Sequence, residues 1–203
     1  RTRREVPLSP RPTLLFNKIM LKYMGENGVA AITIVLYAQF LLTSIFMGFS
    51  SGVAPIFSYN YGNENYIQIK KLFKMSIRLI GIFSILMFVM AMVFAKPIIS
   101  VFVDRGSAIF DITYRGFLLF SISYLFTGIN IFASSMFTAF SNGRISAIIS
   151  FLRTFVFLVL SLIILPLIIG SDGIWLSVPL AELLSFGVSI MYIISNRHEY
   201  QYL

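Results

Sequence analysis

Cysteine is absent from the 203 residues, and there is one histidine, His198, in the polar stretch near the end. Disulfides, thiol catalysis and thiolate metal centres are therefore excluded, and a zinc site of the usual kind has too few ligands. Charge is scarce as well: 12% of residues are charged, about half the share of an ordinary soluble domain. No His-Glu-x-x-His, Gly-x-Ser-x-Gly, P-loop or pair of intramembrane aspartates occurs. Catalytic constellations are missing, and an enzyme is not expected.

Hydrophobic residues make up 58% of the chain, and most fall into five long runs at about Val29–Tyr59, Leu72–Phe94, Ile112–Phe140, Ile145–Ile169 and Ile174–Ile194. A helix crossing a bilayer needs roughly 20 mostly apolar residues, and each run supplies them. The expected class is all-α, integral to the membrane. The net charge of +8 does not point to nucleic acid, because the basic residues lie between and around the runs rather than along one stripe. Residues 1–12 (RTRREVPLSPRP) are basic and aperiodic and read as a linker or a fragment scar. Residues 13–24 read as the remnant of an earlier helix, 13–198 as one transmembrane unit, and 199–203 as a cytoplasmic tail.

Lys70, Lys71, Lys74 and Arg78 form the strongest basic cluster and place the Gly62–Lys71 connection in the cytoplasm. Alternation then puts Ala95–Asp111 and Gly170–Gly173 outside, and Ser141–Arg144 and the tail from Ser195 inside. Lys18 and Lys22 fall on the outer side, against the rule. The first run contains Gly48, Gly52 and Pro55. Pro55 removes a backbone donor and is expected to kink the helix, and Gly48-x-x-x-Gly52 permits close helix packing.

Polar residues inside the runs are the candidates for function. Ser123, Thr127, Asn130, Ser134 and Thr138 recur at helical spacing and share a face of the third run, suited either to helix–helix hydrogen bonds or to the wall of a polar cavity. Glu182 is the one acidic residue well inside a run. A charge at that depth costs about 2.5–3.5 kcal/mol on insertion scales and is kept where it pairs or titrates. Trp175, Pro179, Ser185 and Ser189 fall near its face. Arg153, within the fourth run, is close enough in depth to reach Glu182, and could instead snorkel to the interface.

These residues carry a family resemblance. Gly52-Val-Ala-Pro-Ile-Phe-Ser-Tyr-Asn-Tyr-Gly62 with Asn65-Tyr66 and Lys70-Lys71 resembles the end of the eighth helix and the next loop of MATE (multidrug and toxic compound extrusion) efflux transporters. Phe126-Thr127-Gly128-Ile129-Asn130 and Phe137-Thr138-Ala139-Phe140-Ser141-Asn142-Gly143 resemble the tenth helix, and Ser150-Phe151-Leu152-Arg153 the eleventh. Gly173-Ile174-Trp175-Leu176 and Pro179-Leu180-Ala181-Glu182 resemble the twelfth.

The resemblance implies the C-terminal six-helix lobe of a twelve-helix transporter, its first helix truncated and its N-terminal lobe missing. It implies a secondary antiporter in a bacterial inner (plasma) membrane. Small-molecule drugs or organic cations would be exported against Na⁺ or H⁺, with no cofactor and with the lipid bilayer as surroundings. Glu182, Asn130, Thr127, Ser134 and Arg153 would line the cleft, and Pro55, Tyr59, Asn60 and Gly62 would lie at a gate or hinge. Thr127 falls near the place where some relatives carry a cation-binding aspartate. The rival readings are a flippase for lipid-linked saccharides from a related family and a non-transporting membrane scaffold.

Overall fold

In the computed structural model, residues 11–203 are described, with side chains from Leu14 onward; the proposed linker at 1–12 lies outside them except for the backbone of Arg11 and Pro12. The helices are α1 (Arg11–Gly62), α2 (Tyr66–Val93), α3 (Ala95–Ser100), α4 (Ala108–Ser121), α5 (Tyr124–Ala139), α6 (Gly143–Phe151), a π-helical turn (Leu152–Phe157), α7 (Leu158–Ile169), α8 (Ser171–Ser195) and the short α9 (Arg197–Tyr200). Among the described residues four helices are long and apolar enough to cross a membrane, or five if the bent pair α4–α5 counts as one span.

Side-chain caps set several helix starts. Asn65 accepts from the Gln68 N–H at 3.3 Å, Ser107 from Phe110 N–H at 3.2 Å, and Asn142 from Ile145 N–H at 3.2 Å. Each satisfies an amide that the first helical turn leaves without a partner. Gly25, at φ 66°, breaks α1 into a short and a long limb. This left-handed backbone favours glycine, which has no Cβ to clash. The break separates the expected remnant from the first run.

The structure departs from three local expectations. Helical dihedrals continue through Pro55, and the break in α1 lies at Gly25 instead. A side chain built at Gly48 or Gly52 would meet nothing within 4 Å, so this pair is not a close helix contact here. Close approach occurs at Gly128, where an added Cβ would strike Phe46 of α1 and Ile80 of α2, and at Gly116, where it would strike the buried Trp175 ring. The third difference is in the run expected over 112–140, which is two helices bent by 52°. Ser121 donates to the Leu118 carbonyl at 2.7 Å and Thr127 to the Ser123 carbonyl at 2.9 Å. Such local bonding back to the helix backbone accompanies bends.

α5 is the central post, with α1, α2, α6 and α8 packed around it. Its buried residues include Thr127, Gly128, Asn130, Phe132, Ala133, Met136 and Phe137. α7 and α8 form a tight hairpin through Gly170 at φ 64°, and Gly173 lies against the backbone of Leu165 and Pro166.

Opposite ends of the bundle have distinct chemistry. At one end Tyr200 and Tyr202 of the tail tuck under the helix termini. Tyr200 stacks on Phe140 (centroids 4.7 Å apart) and Tyr202 packs on Phe73 (4.9 Å). Asn142 donates to the Tyr200 hydroxyl at 2.9 Å, and Tyr202 donates to the Ile193 carbonyl at 2.7 Å. The exposed Lys70, Lys71 and Lys74 ring this end. At the other end Arg115 pairs with Asp172, and Lys96 lies over the Tyr114 ring. Apolar side chains such as Ile82, Val93, Leu167 and Ile168 are exposed along the shaft, as a lipid-facing surface requires.

Candidate transport site

α5, α8 and the π turn bring three ionisable or amide side chains together in the middle of the bundle. Asn130 Nδ2 donates to Glu182 Oε2 at 2.7 Å and to the Glu182 backbone carbonyl at 2.9 Å. Its own Oδ1 accepts from the Ser189 hydroxyl at 2.9 Å. Arg153 Nε donates to Glu182 Oε1 at 3.0 Å. Each carboxylate oxygen thus accepts a hydrogen bond, one of them from a cation, which is what a charge away from water requires.

Local structure explains the reach of Arg153. A π turn carries an extra residue and widens the helix, and such turns recur at functional sites. Arg153 lies within Leu152–Phe157, so its side chain is set by a turn that the flanking α6 and α7 lack. The charge of Glu182 is offset by this partner. The Glu182 side chain is 6% exposed and that of Arg153 23%. The charge that reaches open space is therefore the guanidinium.

That space is a cavity of about 230 Å³ lined by Phe16, Leu36, Gln39, Arg153, Thr154, Leu158, Val178, Ala181 and Glu182. Both limbs of α1 contribute to its wall. Gln39 and Thr154 were not singled out in the sequence. Gln39 is a lone amide within the first run, a signal of the same kind as Asn130. Thr154 hides its hydroxyl on the Ser150 carbonyl at 2.7 Å.

Two of the expected cleft residues lie elsewhere. Thr127 is fully buried and bonds within α5. Ser134 joins Ser146 (2.9 Å) and Ser150 (2.8 Å), and Thr138 donates to Ser146 at 2.8 Å. This hydroxyl cluster ties α5 to α6. Pro55, Tyr59 and Gly62 are exposed near the aromatic end, and Asn60 donates to the Ile56 carbonyl at 2.8 Å. Among the described residues no group of three or more His, Cys, Asp or Glu could hold a metal ion.

A family model for MatE matches residues 13–163. The chain belongs to the MatE family. MatE proteins are transporters, and the chain is a helical membrane protein of that family. Solved structures share the fold. A MOP superfamily transporter from Pyrococcus furiosus matches with a TM-score of 0.85 at 18% identity, over 94% of this chain and 43% of that one. The Vibrio cholerae MATE transporter VcmN in its bent form matches at 0.82 and 19%, over 94% and 44%. A multidrug resistance MATE family transporter matches in its outward-facing conformation at 0.85 and 18%, over 95% and 43%. The MatE chain spans less than half the length of these structures. No curated protein matches it.

Proposed function

We propose that this chain is the C-terminal lobe of a secondary exporter that moves amphipathic organic compounds across a bacterial plasma membrane in exchange for Na⁺ or H⁺. Residues 13–198 act as the lobe, and a second six-helix lobe faces them across a cleft. The observation that carries the reading is the ion pair Arg153–Glu182, held by Asn130 at the wall of a cavity inside a membrane bundle. A pair of this kind has two states. With Arg153 on Glu182 the carboxylate is closed. A proton or sodium ion taking the carboxylate competes with Arg153 and frees the guanidinium. Because Asn130 bridges α5 and α8 and Arg153 rides on the π turn, that exchange is sensed by three elements at once.

The coupling cation binds at Glu182, with Asn130 positioning it. Thr127 and Ser134 stiffen the packing around it. Pro55, Tyr59, Asn60 and Gly62 lie at the inner end, where a gate operates. A saccharide flippase would need a strongly cationic cleft for pyrophosphate, and the cavity offers one guanidinium, paired with Glu182. A scaffold would not need a cavity beside a buried ion pair.

The test is uphill efflux of an amphipathic dye from proteoliposomes containing the two-lobed protein, under an imposed Na⁺ or H⁺ gradient. Gradient-driven efflux that is lost in Glu182→Gln supports the reading. Dye movement indifferent to both gradients and to Glu182→Gln contradicts it.

A further inference from the structure

The two partners of the buried ion pair face different surroundings. Glu182 reaches the cavity wall but is almost wholly buried, with Oε1 bonded to Arg153 and Oε2 to Asn130. Arg153 commits only its Nε–H to Glu182, and its two Nη groups have no hydrogen-bond acceptor among the described residues. A guanidinium carries five N–H donors in a planar fork, so most of its donor capacity is left over. The cavity beside it supplies apolar walls from Phe16, Leu36, Leu158 and Val178, and two neutral polar groups, Gln39 and Thr154. Its lining contains no second carboxylate that could answer the remaining donors.

The geometry points to an amphipathic organic anion as the ligand of this cavity, its carboxylate forked on the Nη edge of Arg153 and its apolar body against Phe16, Leu36, Leu158 and Val178. This inference rests on the reading of the chain as an exporter lobe and gives the substrate a sign, opposite to that of the organic cations that the resemblance implies. Guanidinium and carboxylate match in plane and spacing, and the match is stronger away from water. Glu182 then has a positioning role, since its bond to Nε aims the Nη edge into the cavity. A cation that takes Glu182 breaks its bond to Nε, so cation binding changes both the aim and the charge balance of the anion's partner. Moving an anion outward against a cation inward carries two charges in the same electrical direction, so the exchange is driven by a membrane potential that is negative inside.

The experiment uses two probes of one shape, 2-naphthoate and 2-naphthylmethylammonium, and the protein in lipid nanodiscs. Equilibrium dialysis is expected to show binding of naphthoate and not of the ammonium. Arg153→Gln should weaken naphthoate at least about tenfold, the scale of one charge-assisted hydrogen-bonded contact, and Arg153→Lys should restore part of the loss. Leu158→Trp, which fills the cavity and leaves the ion pair intact, should also abolish binding and serves if Arg153→Gln does not fold. Equal or preferred binding of the ammonium, or naphthoate binding that neither variant changes, overturns the inference. Flux of both probes in proteoliposomes separates it from the exporter reading. If the ammonium moves with the gradient and naphthoate does not, the exporter stands and the anion assignment falls. If naphthoate binds through Arg153 and neither probe moves, the anion site stands and the exporter reading falls.

Discussion

Glu182 shows how strongly a single residue is constrained in lipid. Its carboxylate has one cationic partner, so replacing Arg153 with leucine leaves a buried acid that must stay unpaired or take up a proton. Arg153→Leu should lower stability by about 3 kcal/mol, while the double variant Arg153→Leu/Glu182→Leu should return to within about 1 kcal/mol of the parent, because an apolar pair needs no partner. Thermal unfolding in detergent reads both values, and a double variant no better than the single one would show that the loss is packing. Asn130 keeps its bond to the Glu182 backbone carbonyl in either case. Tyr200 and Tyr202 make a pH prediction. Burial raises the pKa of both phenols above the ordinary value. The folded state therefore holds its phenolic protons more tightly than the unfolded one. The tail's contribution is full below the unfolded phenol pKa of about 10 and fades as pH climbs above it. Tail proteolysis together with tyrosinate absorbance should both rise in that alkaline window; a tail cleaved equally at neutral pH would contradict the docking. Lone charges in apolar runs are readable from sequence because each is costly in lipid, which singles out Arg153 and Glu182, whereas Asn130 stands in the same periodic stripe as Thr127 and Ser134. Thr127 and Ser134 were drawn in by periodicity, which reports a shared face but not what the face meets. Their hydroxyls are satisfied locally, by the Ser123 carbonyl and by Ser146 and Ser150.

Elements were legible to the extent that hydropathy reveals length. The run at 112–140 is long enough for one span, and composition does not disclose the 52° bend inside it, beside which Ser121 and Thr127 bond to their own helix backbone. The π turn is hidden for a similar reason: one extra residue in a helix leaves hydropathy unchanged. Its consequence is testable. Deleting Thr154 should convert Leu152–Phe157 to regular α-helix and turn Arg153 by about 100° against one flank. Helix content by circular dichroism should be unchanged, and Arg153→Leu made in that background should no longer destabilise. If it still does, the π turn does not place the guanidinium. A proline is expected to distort a helix interior; the dihedrals stay helical at Pro55, and the φ/ψ break in α1 is supplied by Gly25, whose backbone few other residues adopt.

For the whole molecule, the alternation of apolar runs with basic connections leads to the expected topology, in which the end with exposed lysines around Tyr200 and Tyr202 faces the cytoplasm and the Arg115–Asp172 end faces away from it. Since the chain has no cysteine, single substitutions report sidedness directly. Asn63→Cys should react with an impermeant thiol reagent from the cytoplasmic side and Asp104→Cys from the other; the reverse labelling would invert the topology. The MatE relation of 13–163 and the packing of α5 at the centre were not derivable from periodicity; the first came through motif order and the second through contacts at Gly128 that no hydropathy pattern encodes. The chain fits a solved MATE family transporter in an outward-facing conformation, TM-score 0.85, and one in an inward-facing conformation, 0.86, so its fold is common to both.

The most direct measurement asks whether water reaches the cavity beside Arg153. Thr154→Cys, on the cavity wall, and Leu167→Cys, exposed on the apolar shaft, can each be challenged with a charged, membrane-impermeant thiol reagent in lipid. Polar side chains bounding an aqueous pocket predict fast modification of Thr154→Cys, slowed by a ligand that occupies the cavity, and none at Leu167→Cys. Equal protection of both positions would mean that the Arg153–Glu182 cluster faces acyl chains, and would contradict the account.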